Sequence, residues 1–146
     1  MELDIAMIRE GSFEEALSVF DNIPEFERYI SEEEMKAKLV AGSLILITEN
    51  NNELIGFKMG YPLNEHEFYS WLGGVVPEQR KSGAAQKMLE TQEQWLKKQN
   101  YARVRVKSMN RFSGMLCMLI RNGYDIERVD EYADPELERI CFVKSL

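Results

Sequence analysis

The chain has 146 residues, 45% of them hydrophobic and 29% charged, with a formal net charge of −7. That length buries the core of one ordinary domain and is too short for two, so residues 1–146 read as a single domain. The acidic balance argues against nonspecific nucleic-acid binding, which needs a basic footprint, and favours cationic ligands such as amines.

The longest apolar runs, "LILI" at 44–47 and "GMLCMLI" at 114–120, are too short to cross a bilayer, so no membrane partner is expected. The opening "MELDIAMIREGSFEEAL" carries acids where a secretory leader has a basic and then an apolar stretch. Cys117 and Cys141 sit in apolar contexts without metal-ligand spacing, and read as reduced core residues of a cytoplasmic protein with no metal site.

In chain order, "ELDIAMIRE" reads as a first strand. Ser12 and Glu15 come next in capping-box spacing, and Phe13, Ala16, Leu17 and Phe20 recur on one helical stripe until Pro24 stops it. Ser31 and Glu34 form a second capping box, opening a helix through "EEEMKAKLV" that ends near Gly42. "SLILITE" and "ELIGFKMGY" are strands of an antiparallel hairpin, turned by the asparagines at 50–52, which tolerate positive φ. "EFYSWLGGVV", 67–76, is another strand, ended by Pro77. Its paired Gly73 and Gly74 suggest either a bulge or a close approach by another backbone.

From Gly83 to Gln99 the residues Ala84, Ala85, Met88, Leu89, Trp95 and Leu96 share one face of a long helix, with Gln and Lys opposite. "ARVRVKSM" alternates as a strand does, Val104 and Val106 facing one way and Arg103, Arg105 and Lys107 the other. "RFSGMLCMLIRN" is a short helix closed by Gly123, and "YDIERVDEYA" and "LERICFVKSL" make a last hairpin about a turn at Asp134 and Pro135. The order β-α-α-β-β-β-α-β-α-β-β predicts a mixed α/β domain without repeats or linkers.

One stretch, "VVPEQRKSGAAQKML" at 75–89, carries chemistry. A strand, a glycine-bearing turn and a helix N-terminus form an anion site, because the first helical N–H groups lack partners and the helix dipole adds positive charge. Gly83 permits positive φ, Ala84 and Ala85 leave room for a bulky anion, and Arg80 and Lys81 add full charges. The same features also describe a plain strand-to-helix turn with two solvated cations. Neither the nucleotide P-loop pattern nor the dinucleotide G-x-G-x-x-G pattern is present.

This stretch resembles the acyl-CoA binding motif of the GNAT superfamily of N-acyltransferases: an apolar strand, often V-x-P, then [RQ]-x-x-G-x-[GA]. Arg80, Lys81, Ser82, Gly83, Ala84 and Ala85 supply it. The element order matches the GNAT fold, and "SMN…GMLCMLIRNGYDI" resembles the second motif of the family, so the resemblance covers essentially the whole chain. It implies a mixed, mostly antiparallel sheet flanked by helices, with a splayed central strand pair. It also implies an acetyl-CoA-dependent N-acetyltransferase that moves an acetyl group to a primary amine of a small molecule or peptide by direct attack, with acetyl-CoA as cosubstrate and no metal.

Carried over by residue, the amides of residues 80–85 would hold the CoA pyrophosphate, and Val75 and Val76 would pair with the pantetheine arm like an added strand. Asn110 would contact the cofactor or cap a helix. A strand N–H between Leu72 and Val75 would stabilise the oxyanion. Glu67 and Tyr69 share a strand face and are the candidate catalytic pair, beside His66 and Glu65, whose default is the surface. Leu119 stands where many members have the tyrosine that protonates the leaving thiolate. Ser108, Ser113 and Tyr124 are the nearby hydroxyls.

In this fold the first two helices, their connection and the last hairpin line the acceptor pocket. Here "DNIPEFERYISEEEM" and "DIERVDEYADPELE" are acid-rich, which suits a polyamine, an aminoglycoside, an amino acid or a protein amine. A homodimer is compatible with the family. A GNAT-like module that binds CoA without turnover is the alternative reading.

Overall fold

The computed structural model describes residues 7–26 and 31–146. The start of "ELDIAMIRE" and part of the acid-rich "DNIPEFERYISEEEM" therefore lie outside the described residues.

Among the described residues, seven strands form one sheet: β1 (Met7–Glu10), β2 (Leu44–Asn50), β3 (Glu53–Pro62), β4 (Glu67–Val75), β5 (Arg103–Ser108), β6 (Asp125–Asp130) and β7 (Arg139–Ser145). Their spatial order is β1-β2-β3-β4-β5-β7-β6. Only β4 and β5 are parallel neighbours; every other pair is antiparallel. The helices are α1 (Phe13–Phe20), α2 (Glu32–Lys38), α3 (Ala84–Lys98) and α4 (Ser113–Arg121).

Both capping boxes form. The hydroxyls of Ser12 and Ser31 accept from the amides of Glu15 and Glu34, whose carboxylates accept in return from the serine amides. Each such cap is worth about 1 kcal/mol to its helix. The β2–β3 hairpin turns on Asn51 and Asn52, both at positive φ (53° and 65°), a pair of conformations that matches the twist of the flanking strands.

The sheet divides the core. On one face α1 and α2 pack Phe13, Ala16, Val19, Phe20 and Met35 against Ile47, Phe57 and Met59. On the other, α3 and α4 bring Leu89, Leu96, Met118 and Leu119 onto Leu44, Phe68, Val104 and Phe142. Full burial of such side chains contributes about 1.5–3 kcal/mol each. The α1 stripe uses Val19 where the spacing suggested Leu17, which is only half-buried. The α3 face includes Gln92 and Glu93, polar residues buried where the pattern placed solvent. Cys141 is buried as expected, but Cys117 is exposed on the outer side of α4, because Met118 and Leu119 take the inward positions.

Two irregularities open the centre of the sheet. In β4, Ser70 pairs with Gly60 and Leu72 with Met59, so Trp71 is the extra residue of a β-bulge. The bulge thus precedes the glycine pair, and Gly74 serves close approach instead. A side chain there would meet Ile23 at 2.7 Å and Phe26 at 3.1 Å, which lie on the strand. The parallel ladder between β4 and β5 runs only from Glu67 opposite Arg103 to Ser70 opposite Val106. Past the bulge β4 stays with β3 while β5 stays with β7, so the two central strands part and leave a gap.

Candidate active site

The gap is edged by β4. Val76 N–H donates to Ile55 O on β3 at 2.9 Å, so the alternation of the strand turns the amides of Val75 and Gly73 toward the gap. Of the two valines expected to offer main-chain groups, Val75 does so and Val76 is engaged within the sheet. The gap-side carbonyl of Val75 accepts from Arg80 Nε at 3.1 Å.

A turn of 3₁₀ helix at Pro77–Gln79 then leads to the loop expected to hold an anion. Lys81 has φ 65° and Gly83 φ 89°, so left-handed residues flank Ser82, and such alternation folds successive amides into a concave nest. The amides of Lys81, Ser82 and Gly83 have no hydrogen-bond partner among the described residues, and α3 begins directly after them. A Cβ at Gly83 would meet nothing within 4 Å, so the space above the loop is open. Ser82 Oγ accepts from Ala84 N–H, and Ala84 itself is buried.

Arg80 behaves differently from the sequence expectation. Its guanidinium makes a paired contact with Glu25, Nη1 and Nη2 donating at 2.7 and 2.9 Å, and this holds the Glu25 carboxyl down at about 2. Its charge is therefore met by the segment after α1 and not left to the loop. Asn110 is exposed in the turn after β5; the cap position of α4 is Phe112, so the helix-cap role does not form.

Behind β4, on the α3 side, the gap continues into a crevice walled by Gly73, Ala85, Met88, Met115, Met118 and the stem of Lys58. Lys58 is 6% exposed and has no hydrogen-bond or ion-pair partner among the described residues. Burial pushes its ammonium down to about 8, against the pull of Glu93. Glu93 accepts from the Tyr124 hydroxyl and from Lys144 Nζ, each at 2.8 Å. Burial and that carboxylate push the Tyr124 hydroxyl far above its ordinary range, so it stays protonated and turned away from the crevice toward Glu93. Leu119, at the position of the family tyrosine, is wholly buried in the core. Lys58 is a residue that sequence reasoning missed, although a lone lysine amid the glycines and apolar residues of "ELIGFKMGY" was the available signal.

On the opposite face a second cleft of about 240 Å³ lies over Tyr61, Tyr69, Arg105, Lys107, Glu127 and Arg128. Glu67 borders it, with its carboxylate taken by Arg103 Nε (2.8 Å), Arg105 Nη1 (2.7 Å) and Asn64 Nδ2 (3.1 Å). These donors, Arg105 foremost, hold its carboxyl at about 2. Arg105 also reaches Glu127, and Lys107 and Arg128 both reach Asp130. Tyr69 stands edge-on to Tyr61 with ring centroids 5.4 Å apart, and Tyr61 meets Trp71 at 5.7 Å. His66 and Glu65 are exposed.

A parallel strand pair that splays at a bulge, with an amide nest and a helix N-terminus at its mouth, defines an acyltransferase fold of the GNAT type. The sequence agrees with the geometry: residues 8–113 match the Acetyltransferase (GNAT) family, and the chain belongs to that family. Solved structures repeat the fold across nearly the whole chain. The ribosomal-protein-S18-alanine N-acetyltransferase of Escherichia coli superposes with a TM-score of 0.84 at 14% identity, covering 97% of this chain and 94% of its own. Ard1 of Thermoplasma volcanium gives 0.82 at 16% identity and 97% of each chain. A GNAT family acetyltransferase of Elizabethkingia anophelis, solved with acetyl-CoA bound, gives 0.79 at 15% identity, covering 98% and 99%. No curated protein matches the sequence. Among the described residues, no helix is long and apolar enough to cross a membrane.

Proposed function

We propose that this protein transfers an acetyl group from acetyl-CoA to a primary amine of a small molecule or peptide. The observation that carries the reading is the set of amides at Lys81, Ser82 and Gly83 without a partner among the described residues, in the loop that follows β4 after it has parted from β5. A nest of unpaired donors at a helix N-terminus is chemically suited to a pyrophosphate. The bare space over Gly83 and the small side chains of Ala84 and Ala85 leave room for one. When bound, acetyl-CoA supplies an activated thioester.

The work would be divided among the residues that edge the gap. Lys81, Ser82, Gly83, Ala84 and Ala85 hold the diphosphate, with Asn110 as a polar neighbour at the start of the α4 segment. The amide of Val75 and the outward main-chain groups of Gly73 would pair with the amide-bearing arm, as an added strand would. One of those amides would serve as the oxyanion donor, a contribution of about 3 kcal/mol.

Tyr69 and its aromatic neighbours face the acceptor. An amine against that wall loses hydration, which lowers its pKa from about 10 toward the neutral, nucleophilic form. Glu67, ion-paired and charged, holds Arg103 and Arg105 in place at the cleft wall. Both cysteines are free, which fits a reducing compartment.

The test uses purified protein. CoA at a hundred times its dissociation constant should stabilise the fold by about 2.7 kcal/mol, read as a thermal shift. Acetyl-CoA with a panel of polyamines, aminoglycosides, amino acids and peptides should release free thiol in an amine-dependent way. No shift with CoA or acetyl-CoA would reject the cofactor site; a shift without thiol release across the panel would make the protein a CoA-binding module.

A further inference from the structure

Among the described residues, the wall of the crevice behind Gly73 contains one ionisable group. Phe57, Gly73, Gly74, Ala85, Met88, Met115 and Met118 bring no ionisable side chain, and Lys58 is the one residue of the lining that does. The placement of Lys58 is built in from several sides. It faces the α3 side of the sheet directly opposite Gly73 in the β3–β4 ladder. A Cβ at Gly73 would crowd Lys58 Cγ at 3.4 Å and Phe57 O at 3.3 Å, so the glycine keeps the space beside the lysine stem clear.

The charged group of the core nearest in effect is Glu93 on α3, and its oxygens already accept from Tyr124 and Lys144. From α4 only Met115 and Met118 face the crevice, and the neighbouring β2 residue Leu46 is apolar and buried. A buried ammonium without a bonded counterion is unfavourable unless some other state of the protein satisfies it.

We infer that Lys58 is a catalytic residue of the transfer: its ammonium faces the departing sulfur in this crevice and donates the proton that the leaving thiolate takes up. The inference rests on the acetyl-CoA reading above. As the acceptor nitrogen bonds to the acetyl carbon, the carbon–sulfur bond breaks and its electron pair stays on sulfur. Lys58 Nζ passes one proton to that sulfur and becomes a neutral amine. The acceptor nitrogen loses its excess proton to water, and water restores the proton on Lys58. In sum, a neutral amine and a thioester give an amide and a thiol.

The lysine suits the task on two counts. It stands on β3, on the α3 side, while the α4 position that carries a tyrosine in many members is here Leu119, packed in the core. Its ammonium, lowered to about 8 by burial, is matched to a thiol of about 8.5, so the proton moves with little cost in either direction.

The decisive measurement tracks the thiol of bound CoA by its ultraviolet thiolate absorbance as pH is raised. On the wild-type protein the thiol should ionise at least one unit below the ordinary value of about 8.5, because a facing ammonium favours the thiolate. On Lys58→Met, of similar length and uncharged, it should ionise at or above that value, while CoA affinity at pH 6.5 changes by less than about threefold. Lys58→Arg should keep the thiol lowered, since it keeps the charge. Acetyl transfer should fall roughly a hundredfold in Lys58→Met, the usual scale for losing a proton donor, and should stay low in Lys58→Arg, whose guanidinium keeps the charge but gives up no proton; full activity in Lys58→Arg would overturn the proton transfer.

Bound CoA that ionises at its ordinary value on wild-type protein, or equally on wild type and Lys58→Met, would overturn the inference while leaving the acetyl-CoA reading intact. Wild-type protein that does not bind CoA would overturn that reading, and the inference with it. Should Lys58→Met not fold, the wild-type and Lys58→Arg titrations decide alone.

Discussion

The two faces of the sheet treat polar groups in opposite ways. On the α1 side, around the Tyr69 cleft, Glu67, Arg105, Glu127, Lys107, Asp130 and Arg128 saturate one another. On the α3 side, Lys58 is buried without a bonded partner, both amide atoms of Gln92 are buried without one, and the amides of Lys81, Ser82 and Gly83 are free among the described residues. Saturated charges hold a shape; unsatisfied groups store binding capacity. On the acetyl-CoA reading proposed above, the contrast would put the binding of a large anionic ligand on the α3 side and leave the α1 side to orient an acceptor within a fixed frame.

The sharpest way to break this contrast is Gly83→Glu, which sets a negative side chain in the open space above the nest. Like-charge juxtaposition costs several kcal/mol, so CoA affinity should fall by about a hundredfold or more in a calorimetric titration, while circular dichroism shows a folded protein. Unchanged affinity would move the pyrophosphate elsewhere.

Gly74→Val is the next largest effect, and it acts on the fold. The branched side chain would be driven into Ile23 and Phe26, an overpacking that costs about 1–3 kcal/mol and should lower the urea midpoint.

The smallest effects, and the ones that read the two faces separately, are in the pH dependence of stability. Glu67 titrates at about 2 when folded, below its ordinary value of 4.5, so the folded state binds fewer protons in that window. Its contribution is present above pH 4.5 and lost as pH falls toward 2, and Glu67→Gln should flatten that part of the profile. Lys58 also titrates low when folded, about 8 against 10.5. Between those values the unfolded chain holds the extra proton, so stability should rise with pH there, and Lys58→Met should remove the rise. Urea unfolding from about pH 2 to about pH 10.5 checks both signs. An alkaline profile that is the same in wild type and Lys58→Met would contradict the burial of that ammonium.

Much of this architecture was legible because its signals are local. Two capping boxes announced α1 and α2, the asparagine pair turned β2 into β3, and Gly83 between a strand and an apolar stripe marked the start of α3. Each depends on residues within a few positions of one another.

The features that escaped are those decided by distant partners. The bulge sits at Trp71 because β3 and β4 shift register there, while Gly74 is bare for the sake of Ile23 and Phe26, which precede it by a helix, two strands and most of a third. Arg80 looks like a free cation until Glu25 is placed beside it, and Glu67 looks like a free base until Arg103 and Arg105 arrive from β5. Lys58 and Glu93 read as ordinary charged residues because the elements that bury them are far from them in the chain.

Arg80 has one more consequence. A ligand that adds to a strand edge can slide by two residues and find an equivalent set of hydrogen bonds, the ambiguity that troubles any strand pairing. By placing Nε on the gap-side carbonyl of Val75, and being held there by Glu25, Arg80 occupies the end of that edge. It would work as a stop on a ruler: a ligand that paired along β4 as proposed would be indexed from Val75, with its reactive end at one distance from the nest and not at several.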